Sequence, residues 1–271
     1  MTAISYAVSD SATMVRRQLK HMLRYPGLTV FLVGMPIVFL LLFVYVFGGT
    51  LGAGLGAGLG AGPGGPSGGR AEYVNYVAPG IILMAVASVA QGTAISVAMD
   101  MTEGIIARFR TMAIARVSVL TGHVVGSVVQ TMLIVAVTIG VALLVGFRPT
   151  ATPVEWLAVA GVVVMVGFAL TWLSVALGMV TKRVETASNL PMPLVFLPFL
   201  GSGFVPTDSM PVGLRWFAEY QPFTSVIETL RGLLLGGPIG NNGAIAVAWC
   251  AGIALAGYLW AKRLFNRDPV R

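Results

Sequence analysis

Charged residues are scarce in this chain of 271 residues: they make up 10% of it, whereas apolar residues make up 56%. A soluble globular domain carries about 25% charged residues, so this chain has too few to cover its surface in water. The mean hydropathy of +0.87 agrees with that conclusion. The composition predicts a membrane protein whose solvent is lipid.

Cysteine and histidine are almost absent as well. The single cysteine, Cys250, lies in an apolar stretch, which excludes an intrachain disulfide and a zinc site built on cysteine. The two histidines, His21 and His123, are far apart in the sequence, and no H-E-x-x-H motif occurs. We therefore predict that the chain has no catalytic residues and no metal site, and that it is not an enzyme.

Apolar runs of about 20 residues, each long enough to cross a bilayer at about 1.5 Å per residue, divide the chain. The first begins near Leu28, and we read it as an anchor that stays in place rather than a cleaved signal peptide. The fifth is short and is broken by Pro191, Pro193 and Pro198. The six predicted spans are residues 28–47, 74–99, 117–147, 154–181, 188–205 and 244–261.

The segments around the spans have their own patterns. Residues 1–27 combine a basic cluster with apolar residues at helical spacing, which predicts a cytoplasmic amphipathic helix lying on the membrane. Residues 48–72 contain three LGAG copies and a Gly/Pro/Ser run, which predict a flexible outer loop. The predicted six-span domain therefore covers residues 28–262, and residues 263–271 form a cytoplasmic tail.

The net charge of +7 comes from basic residues that cluster just outside the apolar runs. This placement indicates orientation in a membrane, so we predict no nucleic-acid partner. With six spans and a cytoplasmic N-terminus, 13 of the 17 basic residues fall inside the cell. The other four are Arg70, Arg148, Arg215 and Arg231. By the positive-inside rule, both termini are predicted to be cytoplasmic.

The stretch MTEGIIARFRTMAIAR, residues 101–116, interrupts the apolar pattern between the second and third spans. Ile105, Phe109 and Met112 fall on one helical stripe. Glu103 precedes the basic residues, the order that a helix dipole favours. The pattern predicts a short amphipathic helix on the cytoplasmic face, which either only fixes the topology or docks into a groove on a soluble partner.

The chain resembles the type-2 ABC exporter permeases, particularly the daunorubicin-resistance-like drug-efflux group. One part of the resemblance is the element E-G-I-x-x-R-F-R-T-M-x-x-x-R between two spans. The other is residues 189–236, which combine a proline-rich fifth span, a re-entrant outer hairpin, and QPFT before the pair Arg231-Gly232. The long LGAG loop departs from the family pattern.

This resemblance implies a coupling helix that touches an ATPase subunit. The residues that match the family's coupling element are Glu103, Gly104, Ile105, Arg108, Phe109, Arg110, Met112 and Arg116. No G-x-x-x-x-G-K-[ST] motif occurs, so ATP and Mg are expected on a separate ABC ATP-binding subunit, and this chain is expected to bind no cofactor. The resemblance also implies a second permease copy or a paired permease in the cytoplasmic membrane. The residue composition of the chain indicates a bacterial source.

Polar residues inside the spans are candidates for the substrate path, because they are costly unless they face protein or a cavity. The same residue types also form hydrogen bonds between neighbouring helices, so both interpretations stay open. No charge lies in the middle of a clear span, which favours a hydrophobic cargo (drug, antibiotic or lipid-like) over ion coupling. A polysaccharide or lipid-linked glycan exporter and an ion-coupled secondary transporter remain alternatives. The candidate residues are Gln91, Thr93, Ser96, Thr171, Ser174, Ser188 and Asn189.

Overall fold

The computed structural model describes residues 26–50, 69–102, 116–181 and 183–266, and in these ranges every regular element is helical. Within these ranges, five helices are long and apolar enough to cross a membrane by length and composition. The prediction of an all-helical membrane protein is confirmed, and these helices coincide with predicted spans one to four and six. Their apolar stretches are Thr29–Thr50, Arg70–Thr102, Gly122–Val145, Pro153–Val180 and Asn242–Phe265.

Nine α-helices follow one another along the described ranges. Their bounds are α1 Pro26–Leu41, α2 Arg70–Thr102, α3 Arg116–Val145, α4 Pro153–Val180, α5 Val184–Asn189, α6 Met192–Phe196, α7 Val212–Tyr220, α8 Pro222–Leu235 and α9 Asn242–Asn266. Helix α1 continues into a π-helical turn, Leu42–Phe47.

Helix α2 is the centre of the fold. It contacts α1, α3, α4, α5, α6 and α8, and nearly all of its apolar stretch is buried. A helix that is apolar on every face is expected to be enclosed by others rather than to lie at a surface. It begins at Arg70 and ends at Thr102, so residues 70–72, which the sequence placed in the outer loop, are helical.

Helix α4 begins where the sequence supplies a complete N-terminal cap. The Glu155 backbone N–H donates to the Thr152 hydroxyl oxygen at 3.4 Å, and the Thr152 backbone N–H donates to the Glu155 carboxylate at 2.6 Å. Pro153 occupies the first turn, where its missing N–H costs nothing. This reciprocal pair satisfies two of the donors that a helix start leaves free.

The predicted fifth span is not one helix. It consists of α5, α6 and a 3₁₀ turn, Leu197–Leu200, with interruptions at the prolines that the sequence singled out. These pieces run antiparallel to α2: the Gln91 side-chain amide donates to the Ser188 carbonyl at 2.7 Å, and the Tyr73 hydroxyl donates to the Phe204 carbonyl at 3.5 Å. The 18 residues of α2 between these contacts are about 27 Å long at about 1.5 Å per residue.

Helices α7 and α8 form a hairpin that turns at Gln221. The far end of α8 lies beside the α3–α4 connection, where the Thr150 backbone N–H donates to the Leu234 carbonyl at 2.9 Å. Its near end, at Pro222 and Phe223, lines a small apolar cavity with Leu83 of α2 and with residues of α4 and α9. Helix α8 therefore runs from the inside of the helix bundle, at Pro222, to one end of the bundle, at Leu235.

Helix α7 forms the exposed arm of this hairpin. Trp216 and Tyr220 are largely exposed, with ring centroids 5.5 Å apart, while Ala218 is buried against the rest of the chain. On another side of the helix, Arg215 pairs with Glu219 and with Asp208, each at 2.7 Å.

Glycines let several of the long helices approach each other closely. A methyl group at Gly178 of α4 would lie 2.6 Å from the Ala94 carbonyl oxygen of α2. A methyl group at Gly80 of α2 would lie 2.7 Å from the Gly203 carbonyl oxygen, which follows the broken fifth segment. Such contacts between small residues are how membrane helices gain packing energy where lipid provides no hydrophobic drive.

Candidate functional site

Nearly all of the residues that match the family's coupling element lie between the described ranges that end at Thr102 and begin again at Arg116. Glu103, Gly104, Ile105, Arg108, Phe109, Arg110 and Met112 all lie outside the described residues, so their role as a coupling helix stays a prediction. The structure does define the helices on either side of them. Helix α2 ends at Thr102 and α3 begins at Arg116, and the two helices pack against each other.

A contact between a carboxylate and an imidazole joins α2 and α3 near their ends that flank residues 103–115. The Oδ2 atom of Asp100 lies 3.1 Å from Nε2 of His123, and the two side chains are only 9% and 6% exposed. They lie at the end of the bundle where a small apolar cluster, including Val97, Val124 and Phe265, fills the space between α2, α3, α4 and α9. The other ring nitrogen, Nδ1 of His123, has no hydrogen-bond partner among the described residues.

Sequence reasoning missed this pair. It ended the second span at residue 99, one residue before Asp100, and described His123 only as far from His21 in the sequence. The available signal was that apolar residues continue at helical spacing past position 99, with Val97 and Met101 one turn apart. A helix extended through Thr102 makes Asp100 a helical residue that needs a buried partner.

Two of the predicted substrate-path residues meet each other. The Gln91 amide donates to the Ser188 backbone carbonyl, and the Ser188 hydroxyl donates to the Glu185 carbonyl at 2.8 Å. Gln91 and Ser188 are half-buried, and the neighbouring Asn189 is exposed. The first contact links α2 to α5. In both contacts the side-chain donor is bound to a backbone carbonyl of the same chain.

The remaining path candidates are buried between helices. The Thr93 hydroxyl lies 2.7 Å from the Ser127 hydroxyl, which links α2 to α3. Ser96, Thr171 and Ser174 are also buried, and the Ser174 hydroxyl has no partner within the described part of the chain. For Gln91 and Thr93 the geometry is that of interhelical hydrogen bonds, the alternative that the sequence left open.

At the opposite end of the bundle, Arg231 of α8 holds three elements together. Its Nη2 atom donates to the Ser202 carbonyl at 2.6 Å and to the Tyr76 carbonyl at 3.2 Å. Its guanidinium lies 4.1 Å from the centre of the Tyr76 ring and forms an ion pair with Glu228. The sequence identified Arg231 as an outer basic residue and as part of a motif, but not its contacts, which anchor the hairpin of α7 and α8 to α2 and to the broken fifth segment.

A row of phenylalanine rings runs between α1 and the broken fifth segment. Phe39 meets Phe199 edge-on at 5.2 Å, Phe43 lies 4.6 Å from Phe204, and Phe199 stacks on Phe204 at 4.3 Å between ring centroids. Phe39, Phe43 and Phe199 are half-buried. The row begins on α1 and continues on its π-helical turn, a helix defect that is frequent at functional sites. This surface offers flat apolar contacts and no charge.

Comparison with known proteins agrees with the resemblance seen in the sequence. The model of the family described as ABC-2 type transporter matches residues 11–235. The chain is 27% identical over 234 residues to the daunorubicin resistance ABC transporter permease protein DrrB1 of Streptomyces coeruleorubidus, covering 85% of this chain and 76% of that protein.

Two further relatives are more distant. The probable doxorubicin resistance ABC transporter permease protein DrrC of Mycobacterium tuberculosis is 24% identical over 179 residues, which are 66% of this chain and 65% of that protein. ABC transporter G family member 20 of Dictyostelium discoideum is 26% identical over 173 residues, 62% of this chain but only 23% of that protein. The predicted resemblance is therefore confirmed, and the chain belongs to the ABC-2 type transporter permease family.

Proposed function

We propose that this chain is the membrane-embedded permease subunit of an ATP-driven exporter that carries hydrophobic small molecules out across the cytoplasmic membrane. The observation that carries the proposal is the family match over residues 11–235. Relatives named for daunorubicin and doxorubicin resistance support a drug-like cargo. The uncharged row of phenylalanine rings supports the same class, because flat apolar molecules pack well against aromatic faces.

Energy for export comes from a separate ABC ATP-binding subunit in this proposal. The sequence contains no Walker A motif, so this chain supplies the path and the partner supplies the chemistry of ATP hydrolysis with Mg. The segment between α2 and α3 docks on that partner through Glu103, Ile105, Phe109 and Arg110. Closure of two ATP-binding subunits then moves two permease copies, or two paired permeases, between inward and outward arrangements.

The proposed topology has six crossings with both termini in the cytoplasm. The broken fifth segment runs alongside about 27 Å of α2, close to the roughly 30 Å thickness of a bilayer core, which supports counting it as a crossing. Three of the arginines assigned to the outer side lie at one end of the bundle. Arg70 starts α2, the Arg148 backbone N–H donates to Asn75, and Arg231 donates to the Tyr76 carbonyl.

The hairpin of α7 and α8 is re-entrant in this topology. Leu83, which lies beside the near end of α8, is ten residues from Tyr73 along α2, or about 15 Å, which is half of the bilayer core. The hairpin therefore enters from the outer side and turns near the midplane. Arg231 and Glu228 fix its outer end, and α7 is the arm that runs from the outer side to the turn, with Trp216 and Tyr220 on its exposed face.

Asp100 does not support the alternative function of an ion-coupled secondary transporter. It lies two residues before the end of α2 rather than at midspan, and its carboxylate is paired with His123. A glycan exporter of the same family differs only in its cargo. A transport assay with each cargo therefore separates the two.

Reconstitution tests the proposal directly. The tagged chain is purified from its native membrane, the ATP-binding protein that co-purifies is identified, and both are placed in proteoliposomes with fluorescent doxorubicin. We expect ATP-dependent drug movement that is lost without the ATP-binding protein. Glu103→Ala and Arg110→Ala should lower ATPase stimulation and export while the chain still inserts. Export driven by an ion gradient, with this chain alone, would refute the proposal.

A further inference from the structure

The contact between Asp100 and His123 has no role in the proposed transport mechanism. It joins α2 and α3 at the ends that lead into and out of residues 103–115. Asp100 is three residues before Glu103, and His123 is two helical turns after Arg116. Any displacement of the connecting segment must reach the membrane through these two helix ends.

Stability alone does not account for such a pair. Removing a carboxylate and an imidazole from water is expensive, and replacing a buried pair by apolar residues of similar volume is often neutral or stabilising. The surrounding cluster, with Val97, Val124 and Met179, would accept apolar side chains without exposing them. What apolar contact cannot supply is a short, directional link that fixes one helix relative to the other.

We propose that Asp100 and His123 are positioning residues for energy coupling, which hold the inner ends of α2 and α3 together so that both helices move as one unit. This inference depends on the proposed function, because it needs residues 103–112 to receive the movement of the ATP-binding subunit. With the link in place, a push on the connecting segment tilts the helix pair. Without it, the same push separates the two ends and is dissipated.

The two nitrogens of His123 make the inference testable with matched variants. Nε2 lies 3.1 Å from the Asp100 carboxylate, whereas Nδ1 has no partner in the described ranges. The side-chain amide of glutamine reaches the position of Nε2, and the shorter amide of asparagine reaches that of Nδ1. His123→Gln can therefore keep the link to Asp100, and His123→Asn cannot, although both are neutral amides.

The experiment uses the complete complex in proteoliposomes and measures ATP-binding subunit retention, thermal midpoint, ATPase rate, and doxorubicin moved per ATP hydrolysed. We expect His123→Gln to stay within about twofold of the unmodified chain. We expect His123→Asn to lower drug moved per ATP by about tenfold, the effect of losing one charge-assisted hydrogen bond. Retention of the partner should be the same in both variants.

A double variant separates positioning from folding. Asp100→Val combined with His123→Leu removes the link but fills the space with apolar atoms, so its thermal midpoint should equal or exceed that of the unmodified chain. Its drug moved per ATP should fall as in His123→Asn. Full coupling in the double variant, or equal coupling in the glutamine and asparagine variants, would overturn the inference.

The control arm is the unmodified chain. If it neither retains an ATP-binding subunit nor moves drug with ATP, the proposed function itself is wrong. If it couples normally and the double variant loses coupling only together with several degrees of thermal midpoint and the bound partner, the pair is structural and the positioning role is refuted.

Discussion

The contact between α4 and α9 gives a sharp test of the packing. A methyl group at Gly257 would lie 2.6 Å from the backbone nitrogen of Leu173 and 2.8 Å from the Trp172 carbonyl carbon, whereas ordinary contacts begin near 3.4 Å. Both obstacles are backbone atoms, which cannot rotate away. Gly257→Ala must therefore push the two helices apart by about 0.8 Å at this point, the difference between 3.4 and 2.6 Å.

Gly252 on the same helix supplies the matched control, because a methyl group there meets nothing within 4 Å. Replacing a helical glycine by alanine gains up to about 1 kcal/mol in both variants, and this gain cancels in the comparison. Overpacking typically costs about 1–3 kcal/mol. We therefore expect Gly257→Ala to be about 1–3 kcal/mol less stable than Gly252→Ala.

The assay is unfolding in mixed micelles with increasing SDS, followed by circular dichroism and tryptophan fluorescence. Trp172 reports on the contact directly, because its ring meets the Tyr258 ring edge-on at 5.0 Å. The Gly257→Ala variant should show an earlier midpoint, and a shifted emission when Trp172 is the one tryptophan kept in both variants. A midpoint equal to or later than that of Gly252→Ala would refute the close approach of α4 and α9.

Three further predictions concern the polar contacts, each checked by the same unfolding assay. Arg231→Met should cost about 3 kcal/mol by breaking the pair with Glu228 and two carbonyl hydrogen bonds, and Arg231→Lys should recover part of it; equal midpoints for both would contradict the anchoring role. Gln221→Met should raise the free energy of unfolding by about 1–3 kcal/mol, because both amide atoms are buried without a partner in the described structure; a lower midpoint would mean that the amide is satisfied. Thr93→Val and Ser127→Ala should show a coupling energy of about 0.6 kcal/mol in a double-mutant cycle, and zero coupling would exclude the hydroxyl link between α2 and α3.

The long helices could be predicted from the sequence because lipid imposes a simple rule. About 20 apolar residues in succession must form a helix, since no other backbone arrangement satisfies its own hydrogen bonds in hydrocarbon. Proline lacks a backbone N–H, so Pro191, Pro193 and Pro198 predicted an interrupted helix. The structure has two short helices and a 3₁₀ turn there. The family resemblance rested on local motifs, which are also a property of the sequence alone.

The links between helices could not be predicted in this way. Asp100 and His123 are 23 residues apart, and nothing in their spacing shows that one faces the other. Arg231 donates to backbone carbonyls of Tyr76 and Ser202, which every residue carries, so no residue pattern marks its acceptors. Hydropathy also misjudged the extent of α2, because charged ends such as Arg70 and Asp100 are helical here but resemble loop residues.

The break in the fifth segment and the guanidinium of Arg231 depend on each other. Ser202 lies outside any helix, which leaves its carbonyl oxygen accessible to a donor from α8. If replacement of the prolines straightened this region, that oxygen would turn toward an intrahelical N–H, and the partly buried guanidinium would lose one of its two carbonyl acceptors. A continuous fifth helix would therefore cost the Arg231 anchor one hydrogen bond, and replacing Arg231 alone would leave the Ser202 carbonyl without this donor.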